Sequence, residues 1–124
     1  LGQDDMNPAE ARKLLGTDKI IGVTAKTVEQ AKRAEADGAD YLGSGAVFGS
    51  TTKLNAKPMT KELLREITAA VDIPVVAIGG INADNAVTIE GTGIAGIAVV
   101  GAIFASADIK GAARELAEIC DKML

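Results

Sequence analysis

The sequence predicts an α/β fold built on a parallel sheet, and three observations carry that expectation. Short apolar runs alternate with segments of helical period, and the connections between them are short. The apolar runs are continuous, so both faces of the sheet are expected to be covered. Apolar residues make up 48% of the chain and aromatic residues only 2%, which leaves a core of Ala, Val, Ile and Leu. A chain of 124 residues holds at most one domain.

The opening residues, Leu1 to Met6, read as cut rather than begun. No initiator Met is present, and Asp4 and Asp5 follow Leu1-Gly2 as though a strand had just ended. Asn7 is a candidate N-cap, with Pro8 at the first helical position and Glu10 three residues past the cap. Ala11, Leu14 and Leu15 line one face of this helix, and Gly16 closes it. Lys19 to Ala25 reads as a buried strand. Thr27 and Gln30 form a capping box for a second helix ending at Gly38.

Asp40 to Phe48 is the next expected strand. Thr60 caps a third helix with Leu63, Leu64, Ile67, Ala70 and Val71 at helical spacing, and Pro74 stops it. Pro74 to Ile78 is a buried strand opening into Gly79-Gly80, and Asn82 starts a short helix ending near Gly91. Gly96 to Phe104 is the last expected strand, and Ser106 caps the last helix. Gly45-Ala46-Val47-Phe48 and Gly101-Ala102-Ile103-Phe104 form a weak repeat that hints at related βα units. Cys120 falls on the apolar face of the last helix, with Ile109, Leu116 and Met123, and reads as a core residue rather than a nucleophile.

Composition narrows the function classes. A net charge of −4 and few aromatic residues argue against a nucleic-acid surface. No apolar run approaches the ~18–20 residues that span a bilayer, and no signal peptide is visible. One cysteine cannot form an internal disulfide, which suits a reducing, cytoplasmic setting. Histidine is absent, so an imidazole base or a His-ligated metal is excluded for this chain acting alone.

The chemistry is expected at the carboxyl ends of the strands. The stretch from Gly43 to Lys53 runs from an apolar strand into a loop with three hydroxyls, Ser50, Thr51 and Thr52, beside the Lys53 ammonium. That set suits a phosphate or diphosphate, the alternative being a solvated turn. Gly79-Gly80 and Gly101 suit a phosphate cradle, or serve only as tight βα turns. Asp4 and Asp5 are either first-turn helix charges or ligands of a Mg²⁺ bound through one or two carboxylates and phosphate oxygens. Lys26 reads as a solvated surface residue. Asp40 and Tyr41 sit at a strand start, the stability end of such a fold, and are assigned no chemistry.

At these residues the chain resembles the thiamine phosphate synthase family, whose fold is a TIM barrel. The resemblance is carried by GQDDM (2–6), GVTAKT (22–27), GADYLGSGAVFGSTTK (38–53), PVVAIGGI (74–81) and GIAVVGAIF (96–104). It implies coupling of a pyrimidine diphosphate to a thiazole phosphate with loss of diphosphate, assisted by Mg²⁺. Diphosphate leaves first, and the thiazole nitrogen captures the resulting pyrimidine-methyl cation.

By position, the resemblance makes Asp5 the second Mg²⁺ carboxylate and Thr24 a contact to the pyrimidine substrate. Ser50 and Thr52 fall where the loop binds thiazole phosphate, with Thr51 between them, and Lys53 falls where a lysine meets the diphosphate. Gly79, Gly80, Val100 and Gly101 match the thiazole-phosphate cradle, although Gly101 stands where a serine is frequent. The related tautomerase-like proteins rely on a histidine and lack such a hydroxyl loop, so they fit less well.

A complete barrel has eight βα units and at least ~200 residues. Residues 1–124 are therefore expected to form one partial barrel domain, the C-terminal half, with two open sheet edges. The absent half would carry the glutamine–arginine–lysine strand facing the diphosphate and the first Mg²⁺ carboxylate. A missing N-terminal half or a second chain is the expected partner, and this chain alone is expected to lack turnover. The alternatives are a non-catalytic phosphate-binding half-barrel and another phosphate-binding barrel enzyme, although no general base for the latter is evident.

Overall fold

The computed structural model describes residues 1–48 and 58–124. The hydroxyl loop, Ser50, Thr51, Thr52 and Lys53, lies outside the described residues. Helices α1 (Pro8–Leu15), α2 (Val28–Ala36), α3 (Lys61–Ala70), α4 (Gly101–Phe104) and α5 (Ile109–Met123) accompany strands β1 (Gly22–Thr24), β2 (Tyr41–Ser44), β3 (Val75–Ile78) and β4 (Gly96–Ala98). A single 3-10 turn, Ala86–Ile89, sits between β3 and β4. The four strands form one parallel sheet in the order β1-β2-β3-β4, as the strict alternation requires.

Register and side-chain alternation sort the sheet into two faces. Val23, Leu42 and Val75 are paired in register and buried under the helices, as are Ser44 and Ala77. The opposite face carries Gly22, Thr24, Tyr41, Gly43, Val76, Ile78, Gly96 and Ala98, all half-buried or exposed. The expectation of two covered faces therefore holds for one face only among the described residues. On the open face the Tyr41 ring lies across Gly22, where an added Cβ would come within 2.2 Å of it.

The helices form where their caps say. The Asn7 side chain accepts from the Ala9 amide, Thr27 from Gln30 and Thr60 from Leu63. The Gln30 carboxamide reaches back to the Lys26 amide at 2.8 Å, one residue earlier than a strict capping box. From α3, Leu64 and Ile67 are completely buried against the sheet. Arg12 ties α1 to the base of the sheet, donating to the Asp40 carboxylate at 2.7 Å and to the Gly38 carbonyl at 3.1 Å.

Several expected boundaries move. The strand expected over Lys19–Ala25 is ladder-paired only at Gly22–Thr24, and Ile20 is exposed. The one expected over Asp40–Phe48 ends at Ser44, because the chain then crosses to β3. The strand expected over Gly96–Phe104 ends at Ala98, and Gly101–Phe104 is helical, with the Phe104 amide donating to the Val100 carbonyl. A short apolar run fits either state, and here the hydrogen bonds close within the segment. The repeat between Gly45–Phe48 and Gly101–Phe104 therefore has no structural counterpart. Asp108 caps α5 by accepting from the Gly111 amide, while Ser106 accepts from the Asp108 amide just before it. In α1 only Ala11 of the expected apolar face is buried, and Leu14 and Leu15 face solvent because no described element covers that side.

The first residues extend the sheet. Leu1 donates to the Gly22 carbonyl at 2.6 Å and accepts from the Thr24 amide at 2.8 Å, which is a parallel bridge beside β1. This agrees with the expected strand end ahead of Asp4 and Asp5.

Candidate active site at the strand ends

The carboxyl ends of adjacent strands are held together chiefly by backbone contacts. After Ser44 the chain leaves β2 and lies against the end of β3. Val47 donates to the Ile78 carbonyl and Phe48 to the Gly79 carbonyl, each at 3.0 Å. An added Cβ at Gly45 would meet the Ile78 carbonyl oxygen at 2.1 Å, so this approach requires glycine. Beyond the loop, the Met59 amide returns to the Ala46 carbonyl at 2.6 Å. Phe48 and Met59, described residues on either side of 49–57, are thus both tied beside the Gly79 turn.

Gly79 and Gly80 both adopt left-handed φ, +104° and +67°, a conformation that side chains disfavour. The Asn85 carboxamide closes this turn, donating to the Gly80 carbonyl at 2.9 Å and accepting from the Asn82 amide at 2.8 Å. The Asn82 side chain in turn accepts from the Asp84 and Asn85 amides. Asn82 therefore caps a turn that leads into the 3-10 segment instead of starting an α-helix at once. Ile78 pairs with Ala98, so the Gly79-Gly80 turn and the Val99–Gly101 turn leave neighbouring strands at the same end of the sheet. Val100 is exposed, and Gly101 is the first residue of α4.

Thr24 ends β1 on the open face, in register with Gly43, which pairs with Val76. Its carbonyl accepts from the Gln3 side chain at 2.5 Å. Asp5 is exposed, and its Oδ2 accepts from the Gly2 amide at 2.6 Å within a tight turn. It lines a cavity of about 160 Å³ against α2, which it shares with Gln30, Arg33 and Val23. Val23 points to the helix-covered face, so this cavity is separate from the Gly79-Gly80 turn. Among the described residues no group of three His, Cys, Asp or Glu side chains surrounds Asp5 or any other point.

Among the described residues two titrating groups are shifted, Asp40 and Cys120, and neither lies at this mouth. The Arg12 guanidinium and the Ile21 amide hold the Asp40 carboxyl below the usual carboxylate range. Burial, with Asp121 nearby, pushes the Cys120 thiol up, which agrees with a packing role for that residue.

Sequence reasoning passed over Asn85 and Gly45. The Asn82–Asn85 spacing was the available signal for the first, since such side chains bond their own backbone in turns. Tyr41 was placed correctly at a strand start, but strand alternation could also have put its ring on the open face.

A family model described as thiamine monophosphate synthase matches residues 1–103. The thiamine-phosphate synthase of Ruminiclostridium cellulolyticum is 53% identical over 119 residues, covering 96% of this chain and 57% of that protein. That of Moorella thermoacetica is 49% identical over 120 residues, covering 96% and 57%. The solved thiamine phosphate pyrophosphorylase from Pyrococcus furiosus superposes with a TM-score of 0.91 at 43% identity, over all of this chain and 59% of that one. The chain thus spans a little under three fifths of the length of these relatives. With the family match over most of its residues and the same parallel α/β architecture, the chain belongs to the thiamine monophosphate synthase family.

Proposed function

We propose that residues 1–124 supply part of the active-site mouth of a thiamine phosphate synthase, joining a pyrimidine diphosphate to a thiazole phosphate with release of diphosphate. The observation that carries this reading is the anchoring beside Gly79 of Phe48 and Met59, which stand on either side of residues 49–57. Such anchoring favours a reading in which the Ser50, Thr51 and Thr52 hydroxyls serve the same phosphate as the glycine turn, with Lys53 serving the diphosphate beside it.

In this reading the Gly79-Gly80 and Val100-Gly101 turns hold the thiazole phosphate, together with hydroxyls from Ser50 and Thr52. Thr24 contacts the pyrimidine from the open face of β1. Departure of diphosphate places growing negative charge on its oxygens, and the Lys53 ammonium neutralises that charge with no general base. The lack of histidine is therefore no obstacle. Asp5 fits one place in a Mg²⁺ site through Oδ1, since the residue is exposed and the Gly2 amide engages only Oδ2. A second carboxylate then comes from outside this chain. When bound, the ion supplies further charge neutralisation on the diphosphate.

The sheet in this reading is one part of a barrel closed by an N-terminal half, or by a second chain. The test is turnover by the full-length protein with both substrates and Mg²⁺, alongside calorimetric titration of thiazole phosphate alone. Thiamine phosphate formation that stops on chelation is expected. Saturable thiazole phosphate binding without turnover would favour a phosphate-binding module, and no binding at all would overturn the reading.

A further inference from the structure

We propose that Asn85 is a positioning residue for phosphate binding, setting the direction of the backbone amides in the Gly79–Ile81 turn. The inference rests on the phosphate-binding reading of that turn. Two consecutive glycines with positive φ are conformationally permissive, so the residues alone do not select one orientation of their peptide planes. The Asn85 carboxamide makes the selection with both of its polar atoms, one on the Gly80 carbonyl and one on the Asn82 amide.

The peptide between Gly80 and Ile81 is planar, so holding its carbonyl toward Asn85 turns the Ile81 N–H the opposite way. The buried Ile81 side chain fixes the other end of that plane. Among the described residues neither the Gly80 nor the Ile81 amide donates to a protein acceptor. Asn85 itself touches the turn and not the ligand. Its contribution is to remove from binding the cost of ordering two glycines.

The test compares Asn85→Ala with Asn82→Ala in the full-length protein, using thiazole phosphate as the probe. Asn82→Ala removes the caps on Asp84 and Asn85 but leaves the Asn85 carboxamide able to reach Gly80. Asn85→Ala is expected to weaken thiazole phosphate about tenfold, roughly 1.4 kcal/mol, and to raise its KM while leaving the KM for the pyrimidine diphosphate unchanged. Asn82→Ala is expected to lower the melting temperature with little change in affinity. Equal weakening by both variants, in step with lost thermal stability, would show Asn85 to be only structural.

The wild-type protein gives a reading independent of either variant. Saturating thiazole phosphate is expected to shift the backbone amide resonances of Gly80 or Ile81, and two unmoved resonances overturn the proposal. A wild type that binds thiazole phosphate beside an Asn85→Ala of equal affinity sinks this inference alone. A wild type that binds none sinks the functional reading with it.

Discussion

Gly79 is pressed against Ala46, so that a Cβ on the glycine would stand 2.5 Å from the Ala46 Cα. Its φ of +104° is also one that an L side chain resists. Gly79→Ala should therefore cost about 1–3 kcal/mol from backbone strain alone, with the clash added. In full-length protein this is a fall in melting temperature of roughly 2–12 °C. Gly43→Ala is the control, since a Cβ there meets nothing within 4 Å, and its melting curve should stay close to wild type. Matching losses in the two variants would refute the close approach.

Lys53→Ala in full-length protein should lower turnover by far more than tenfold while leaving the melting temperature unchanged. Steady-state kinetics with both substrates read this directly. Activity within about tenfold of wild type, ~1.4 kcal/mol, would remove the assigned role at the diphosphate.

The Arg12–Asp40 pair should make stability depend on pH in one direction. The folded-state pKa of Asp40 is depressed, first by the Arg12 hydrogen bond and then by the Ile21 amide. Its contribution is therefore present above the ordinary aspartate value, about 3.9, and is lost as pH falls through the lower folded value. Urea unfolding of wild type and Asp40→Asn should differ near neutral pH and converge in acid. Arg12→Lys should recover little, because a lysine cannot reproduce the fork that also reaches Gly38.

Glu35 links α2 to the entry of β3, its Oε2 accepting from the Asp72 amide at 2.6 Å and the Ile73 amide at 3.2 Å. Glu35→Ala leaves those two amides without this acceptor and should cost about 1–3 kcal/mol in chemical denaturation. Glu35→Gln should restore part of the loss. An unchanged midpoint for Glu35→Ala would mean that water replaces the carboxylate.

Residues 1–124 produced alone should self-associate. Leu14, Leu15 and Ile20 are exposed, and no described element covers the open face of the sheet. Sedimentation should show species larger than a monomer, with a broad thermal transition. A monomer that melts cooperatively would rule out the missing-half reading.

The parallel order and the starts of α1, α2 and α3 were legible because caps and periodicity act within a few residues. Asn7, Thr27 and Thr60 each bind the amide that their position implies. Strand ends were not legible, because pairing partners decide them. Gly45–Phe48 and Gly101–Phe104 look alike in sequence, yet the first docks on β3 and the second coils into a helix. At the site, the glycine turn was foreseen from Gly79-Gly80. The closing role of Asn85 was missed, since it depends on where a carboxamide points. Ser50, Thr51, Thr52 and Lys53 fall outside the described residues, so the loop's part rests on its anchors.

The open face of the sheet is sparsely furnished: Gly22, Gly43 and Gly96 offer no side chain, and one phenol ring, that of Tyr41, roofs the lowest of them. The depth available beneath the strand tips is thus governed by positions that perform no chemistry themselves. A Cβ at Gly43 would project into that space with no described neighbour within 4 Å. Under the proposed function, tolerance for bulkier or slimmer heterocycles would then be retuned from the floor upward, leaving the proposed phosphate-binding turns untouched.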